Sequence, residues 1–202
     1  PKTGSKLLQN IFEQNPYFYT SPTSGLLELI YTTRVNFTNL DEFKSQDSKV
    51  MKRAFLNFCK YGIFGYYNAI TDRPIVIDKN REWCAHFNLL NQIFDEKPKI
   101  ICMVRDLRQI ISSMEKEYRE KSHKHVDINR KKMEGTSILK RTKRWLTSNP
   151  LGLSLEILKD IIDMDIHRDI LIVRYEDLLV EPDGIMRLIY NYLGLPYFEH
   201  NF

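Results

Sequence analysis

The sequence predicts an α/β fold: a parallel β-sheet covered by helices on both faces. Two observations carry that expectation. Short apolar runs at 75–77, 99–104 and 169–173 have the length and composition of buried strands. Longer stretches with apolar residues at helical spacing separate them, and strands alternating with helices build parallel sheets with both faces covered.

The bulk composition agrees. The chain has 202 residues, 43% hydrophobic and 28% charged, values of a folded globular protein. We read it as a single domain over 1–202, with flanking sequence expected at both ends, because it opens on Pro1-Lys2-Thr3-Gly4 and stops at Phe202. The formal charge of +4 is too mild to name nucleic acid as a partner, but suits one basic pocket for a small polyanion. Cys59, Cys84 and Cys102 are dispersed and without a His at metal-ligand spacing. They read as reduced core thiols of a cytoplasmic protein rather than as metal ligands. No apolar run approaches the roughly 20 residues of a membrane span.

Along the chain, Leu7, Leu8, Ile11 and Phe12 give a first helix over 5–14, ended by Asn15-Pro16. Residues 17–24 read as a turn-rich link. Helices follow over 25–36 and 47–67. Ile75-Val76-Ile77 is a strand, and Trp83, Phe87, Leu90 and Phe94 recur at helical spacing. The strand 99–104 leads into a helical stripe through Leu107, Ile110, Ile111, Met114 and Tyr118. The charged stretch 115–132, with His123 and His125, reads as a solvated helix rather than a lid. Helices over 137–146 and 153–162 precede the strand 169–173. Pro182 starts a last helix and Gly194 stops it.

Polar groups gather at strand ends and helix starts, where α/β proteins bind ligands. The segment 1–6, PKTGSK, runs straight into a helix: Gly4 permits close backbone approach, and free N–H groups at the helix start attract anions. Lys2, Thr3, Ser5 and Lys6 add charge or hydroxyls. Arg105 ends the strand 99–104, and Ser112 and Ser113 follow on the next helix. Arg105 can grip a phosphate through two donors. Periodicity does not choose between the serines. The third segment, Arg174-Tyr175-Glu176-Asp177-Leu178, reads mainly as a structural tie at a strand end.

Together these segments resemble the sulfotransferase family that uses 3′-phosphoadenosine 5′-phosphosulfate (PAPS). PKTGSKLL is similar to its 5′-phosphosulfate loop, and VRDLRQIISSM carries its Arg and Ser eight positions apart as Arg105 and Ser113. RYEDLLVEPDGIMRLIYNYLGLPY resembles its late signature. The likeness covers roughly 1–16, 74–118 and 169–197, and SPTSGLLELI is similar to small bacterial and phage members. It implies a P-loop-type parallel sheet flanked by helices on both faces. PAPS would be the co-substrate, with 3′-phosphoadenosine 5′-phosphate as product and no metal. The partner would be a small-molecule, glycan or peptide acceptor.

The resemblance also implies roles. Lys2 would contact the leaving oxygen, and the loop from Thr3 through Gly4 and Ser5 to Lys6 would hold the 5′ side, with Leu7 beside the adenine. Arg105 and Ser113 would read the 3′-phosphate. The base that takes the acceptor's proton has no clear motif; Asp78, after the strand 75–77, is the first candidate and Glu82 the second, with His86 one turn further on. Lys6 stands where many members have Thr, Leu7 where cytosolic members have Trp, and no late Arg-Lys-Gly loop is visible. A magnesium-dependent nucleotide kinase would need a hydroxyl after Lys6, where Leu7 stands. A non-catalytic relative binding nucleotide or glycan would be expected to lack Lys2, Arg105 or Ser113, and all three are present.

Overall fold

The architecture was taken from a computed structural model, which describes residues 2–120, 133 and 135–202. Residues 121–132 of the charged stretch, His123 and His125 among them, lie outside the described residues.

The chain packs as two units, one of residues 1–5 and 101–197, the other of residues 6–100 and 198–202. In the second unit, α1 (Ser5–Phe12) begins at the boundary and buries Leu8, Ile11 and Phe12. Then come β1 (Phe18–Thr20), α2 (Leu26–Phe37), α3 (Asp41–Lys44), α4 (Ser48–Asn68) and β2 (Ile75–Ile77). A 3-10 turn, Trp83–His86, leads into α5 (Phe87–Phe94). β1 and β2 run parallel, with Phe18 opposite Ile75 and Thr20 opposite Ile77. Helices α2, α4 and α5 bury a core of Leu26, Ile30, Phe55, Cys59, Tyr67, Leu89 and Ile93. Asp47 caps α4 by accepting from the N–H groups of Lys49 and Val50, which fixes where that helix starts.

In the first unit, β3 (Ile101–Val104) pairs in parallel with β4 (Leu171–Arg174), Ile101 opposite Leu171 and Val104 opposite Arg174. Between them lie α6 (Leu107–Glu120), α7 (Ile138–Thr147), α8 (Leu151–Asp163) and a 3-10 turn, Ile166–Arg168. After β4 come α9 (Tyr175–Val180) and α10 (Pro182–Leu193). Pro182 supplies the first turn of α10, and Gly194, with φ +73°, ends it.

Most of the expected elements are present, with differences that have physical causes. Phe18–Thr20 is a strand rather than part of a link. Its three residues are too short for an alternating pattern, and pairing with β2 creates it. Tyr175–Val180 is helical, with Glu176 and Asp177 in its first turn, where carboxylates favour a helix start. The strands form two parallel pairs, β1–β2 and β3–β4, among the described residues; the hydrogen bonds seen do not join them into one sheet. No described helix is long and apolar enough to cross a membrane.

Candidate functional site

In the first unit, the carboxyl ends of β3 and β4 meet the loop that opens the chain. Lys2 and Gly4 both have left-handed backbone, φ 61° and +85°. Alternation of this kind turns successive N–H groups toward one side and forms anion-binding concavities. The Tyr175 ring closes over the loop: a Cβ built on Gly4 would lie 2.1 Å from Tyr175 Cδ2. Glycine is therefore required at position 4 by contact as well as by φ.

Arg105, at the end of β3, is held from three sides. Its Nη1 donates to the Lys2 carbonyl at 3.0 Å. Its Nε and Nη2 donate to Gln109 Oε1 at 3.3 and 3.1 Å. The guanidinium carbon sits 4.3 Å from the Tyr175 ring centroid, a cation–π contact. The Lys2 ammonium pairs with Glu117 Oε2 at 2.6 Å. Arg105, Gln109, Ser113 and Glu117 recur every fourth residue, so three of the four form one row along α6 and Arg105 precedes its first turn. Contacts to the loop anchor both ends of that row. Ser113 falls inside the row and is half-buried; Ser112 is off it and exposed.

The ties at the strand ends are mutual. Glu176 Oε1 accepts from the Asp106 N–H at 3.0 Å, and that hydrogen bond first of all holds its carboxyl below the usual glutamate range. Asp106 caps α6, accepting from the N–H groups of Arg108 and Gln109 at 2.9 and 3.2 Å. The Arg108 side chain, then these caps, lower its carboxyl to about 2. The structural reading of the RYEDL segment thus holds for Glu176, whereas Tyr175 also lines the loop.

The two carboxylates considered as base lie in the second unit. Asp78 follows β2, and both its oxygens are engaged: Trp83 Nε1 donates to Oδ1 at 2.8 Å, and the Tyr67 hydroxyl donates to Oδ2. Burial, then this bond, pushes the Tyr67 phenol far above its ordinary range. Around the same strand ends, the Lys79 N–H donates to Ser21 Oγ at 2.8 Å, and Lys79 Nζ to Gln9 Oε1 at 2.8 Å. Glu82 is half-buried and accepts no side-chain hydrogen bond among the described residues. Its charge acts on His86, whose imidazole burial nonetheless drives below its ordinary value. Lys6 is exposed and Leu7 half-buried on the first turns of α1. The described residues contain no group of three His, Cys, Asp or Glu able to hold a metal ion.

A model of the sulfotransferase family matches residues 1–199. This chain belongs to the sulfotransferase family. No curated protein matches it. The family's chemistry is sulfuryl transfer, and the matched span contains the loop, Arg105, Ser113 and the segment 174–178. What the residue pattern did not mark in advance is the support of the loop: Tyr175, Gln109 and Glu117. Gln109 and Glu117 could have been found from their spacing of four on either side of Ser113. Tyr175 carries no such signal, since only the fold brings it over Gly4.

Proposed function

We propose that this sulfotransferase moves a sulfuryl group from PAPS to an acceptor hydroxyl or amine by in-line displacement. The observation that carries this reading is the convergence of the three motif segments in one unit: the Gly4 loop under Tyr175, Arg105 bonded to the Lys2 carbonyl, and Ser113 in the same row. The donor set fits a nucleotide with two anionic ends, because Lys2, Arg105, Ser113 and the loop hydroxyls are all donors or cations. We read the two parallel strand pairs as parts of a P-loop-type sheet flanked by helices on both faces. The three dispersed cysteines, none assigned to a disulfide among the described residues, suit a cytoplasmic setting.

The residues would share the work as follows. When bound, PAPS supplies a sulfuryl group on a good leaving phosphate. Lys2 would neutralise charge growing on that phosphate, exchanging its pairing with Glu117 for the ligand. N–H groups of Thr3, Gly4, Ser5 and Lys6 would hold the 5′ side, with Leu7 near the adenine. Positioned donors of this kind need no reorganisation as charge develops. Arg105 and Ser113 would hold the 3′-phosphate, which is what separates this donor from ATP. For the base, Glu82 has the freer carboxylate. Asp78 could accept a proton only by giving up a bond to Tyr67 or Trp83.

Calorimetric titration with 3′-phosphoadenosine 5′-phosphate tests the reading, with ATP and adenosine 5′-phosphosulfate alongside. We expect selective binding of the 3′-phosphate compound. Arg105→Ala should weaken it by about 1.5–3 kcal/mol, tenfold or more, the worth of a hydrogen bond to a charged group. Equal binding of all three nucleotides, or a preference for ATP with magnesium, would overturn it.

A further inference from the structure

The second unit carries an aromatic surface that neither its core nor the donor site uses. Every residue of this unit is described. Helix α4 turns Phe55, Cys59 and Tyr67 into the core. A helix that met only water on its other side would be polar there. Instead that side shows Val50, Ala54, Phe58, Tyr61 and Gly65, which fall within an arc of about 80° at 3.6 residues per turn. Phe58 is 64% exposed and Tyr61 67%. Contiguous apolar surface of this kind marks an interaction site.

Two features show how the surface is built. Gly62 and Gly65 are poor helix formers, yet a Cβ built on either would meet nothing within 4 Å, so no internal packing requires them. Bare backbone at these positions leaves the Phe58, Tyr61 and Phe64 rings as the outermost groups of that stretch of helix. Neighbouring rings are also braced. Phe64 lies edge to face on Phe94 at 5.9 Å, and Tyr66 on Tyr67 at 5.2 Å. Side chains that are already ordered lose less freedom on docking.

The charge beside the rings is of one sign. Lys49, Arg53 and Lys60 stand at i, i+4 and i+11, a row along one flank, and Lys52 adds a fourth cation. The sequence has no Asp or Glu between Asp47 and Asp72. None of the four cations forms an ion pair among the described residues.

We propose that α4 docks this chain on an anionic lipid bilayer, lying in the plane of the headgroups. Phe58 and Phe64 would enter the acyl boundary, with the Tyr61 hydroxyl kept among the headgroups. The flanking row of Lys and Arg would meet the anionic lipid. A second copy of the chain would bring a further row of cations and no acid to the same interface. A neutral surface would leave the cations unanswered. The proposal does not depend on the donor assignment.

The test is co-sedimentation of the whole chain with vesicles of equimolar phosphatidylglycerol and phosphatidylcholine, and with vesicles of phosphatidylcholine alone, at low and high salt. The expected result is binding to the anionic vesicles that salt weakens and that glycerol phosphate, the free headgroup, does not displace. Phe58→Ser/Tyr61→Ser should lower the partition coefficient about tenfold or more, as should Lys49→Gln/Arg53→Gln/Lys60→Gln. Val180→Ser, at a residue 86% exposed in the first unit, should leave it unchanged. Should the serine variant unfold, Phe58→Trp serves instead: its added emission should shift to the blue with anionic vesicles, and no shift counts against the proposal. Absence of binding overturns it, as does equal binding to both kinds of vesicle, full binding by the folded serine variant, or displacement by glycerol phosphate. Sedimentation velocity without lipid is run on the same preparations. A dimer of the parent chain that the serine variant loses would overturn the proposal and assign the face to a second copy.

Discussion

At Gly4 two separate requirements coincide. The left-handed φ of +85° costs an L-residue about 1–2 kcal/mol, and a Cβ would also collide with Tyr175 at 2.1 Å. Gly4→Ala should therefore lower the unfolding midpoint and weaken binding of 3′-phosphoadenosine 5′-phosphate together. Adding Tyr175→Ala removes the collision and leaves the backbone strain. Thermal unfolding of the double variant should recover part of the lost stability, and no recovery would show that the ring contact is not the constraint. Much of this residue-scale chemistry was legible in the sequence. A Gly between hydroxyls ahead of a helix is a local pattern, whereas the choice of Ser113 over Ser112 came only with the family resemblance. The Tyr175 ring over Gly4 was not legible, because 171 positions separate the two and only the tertiary fold sets the ring against the loop.

Helix α6 carries different duties on different rows. Glu117 pairs with Lys2 of the loop and Gln109 holds Arg105, with Ser113 between them on the same row. Ile110, Met114 and Tyr118 pack with Trp145 and Leu151, and Glu115 turns inward to Arg141. The buried pair is bidentate, its guanidinium lies 4.6 Å from the Tyr118 ring centroid, and Arg119 adds a contact at 2.8 Å. Removing Arg141 leaves the buried Glu115 carboxylate with only the largely exposed Arg119 beside it, so Arg141→Ala should cost about 3 kcal/mol of stability. Glu115→Leu with Arg141→Met should cost far less, since no charge is left buried. Urea unfolding of both variants checks this, and equal losses would mean that shape rather than charge governs the site. The Arg141 hydrogen bond, first, holds the Glu115 carboxyl below the ordinary 4.5. Its contribution is present above that pH and fades as pH falls below it. The apolar stripe of α6 was readable from its period. The inward Glu115 was not, because an acid flanked by Lys116 and Glu117 reads as surface until Arg141, 26 residues on, is seen beside it. β1 was missed for a related reason, as three residues acquire strand geometry only from their partner.

At the scale of the molecule, the two units differ in the pH windows over which their groups titrate. In the second unit, burial drives His86 below its ordinary 6.5 and raises the Cys59 thiol from 9.0 to about 11. The folded state resists charging in both cases, so stability falls as pH drops below 6.5 and as it rises above 9.0. Among the described residues of the first unit, Glu115, Glu176 and Asp106 are depressed, so their loss begins only below about 4.5. On the alkaline side, burial and then its bond to Asp183 raise Tyr197 from 10.0 to about 12, so the loss from that group begins above 10.0. The second unit should therefore begin to loosen first at both extremes. The chain has two tryptophans, Trp83 in the second unit and Trp145 in the first. Trp145→Phe leaves a reporter of the second unit, and Trp83→Phe one of the first. Emission of Trp83 should begin to shift nearer neutrality than that of Trp145 in acid and in alkali alike. Superimposed curves would mean that the units unfold in one cooperative step, in which case the narrower window of the second unit sets the pH tolerance of the whole chain.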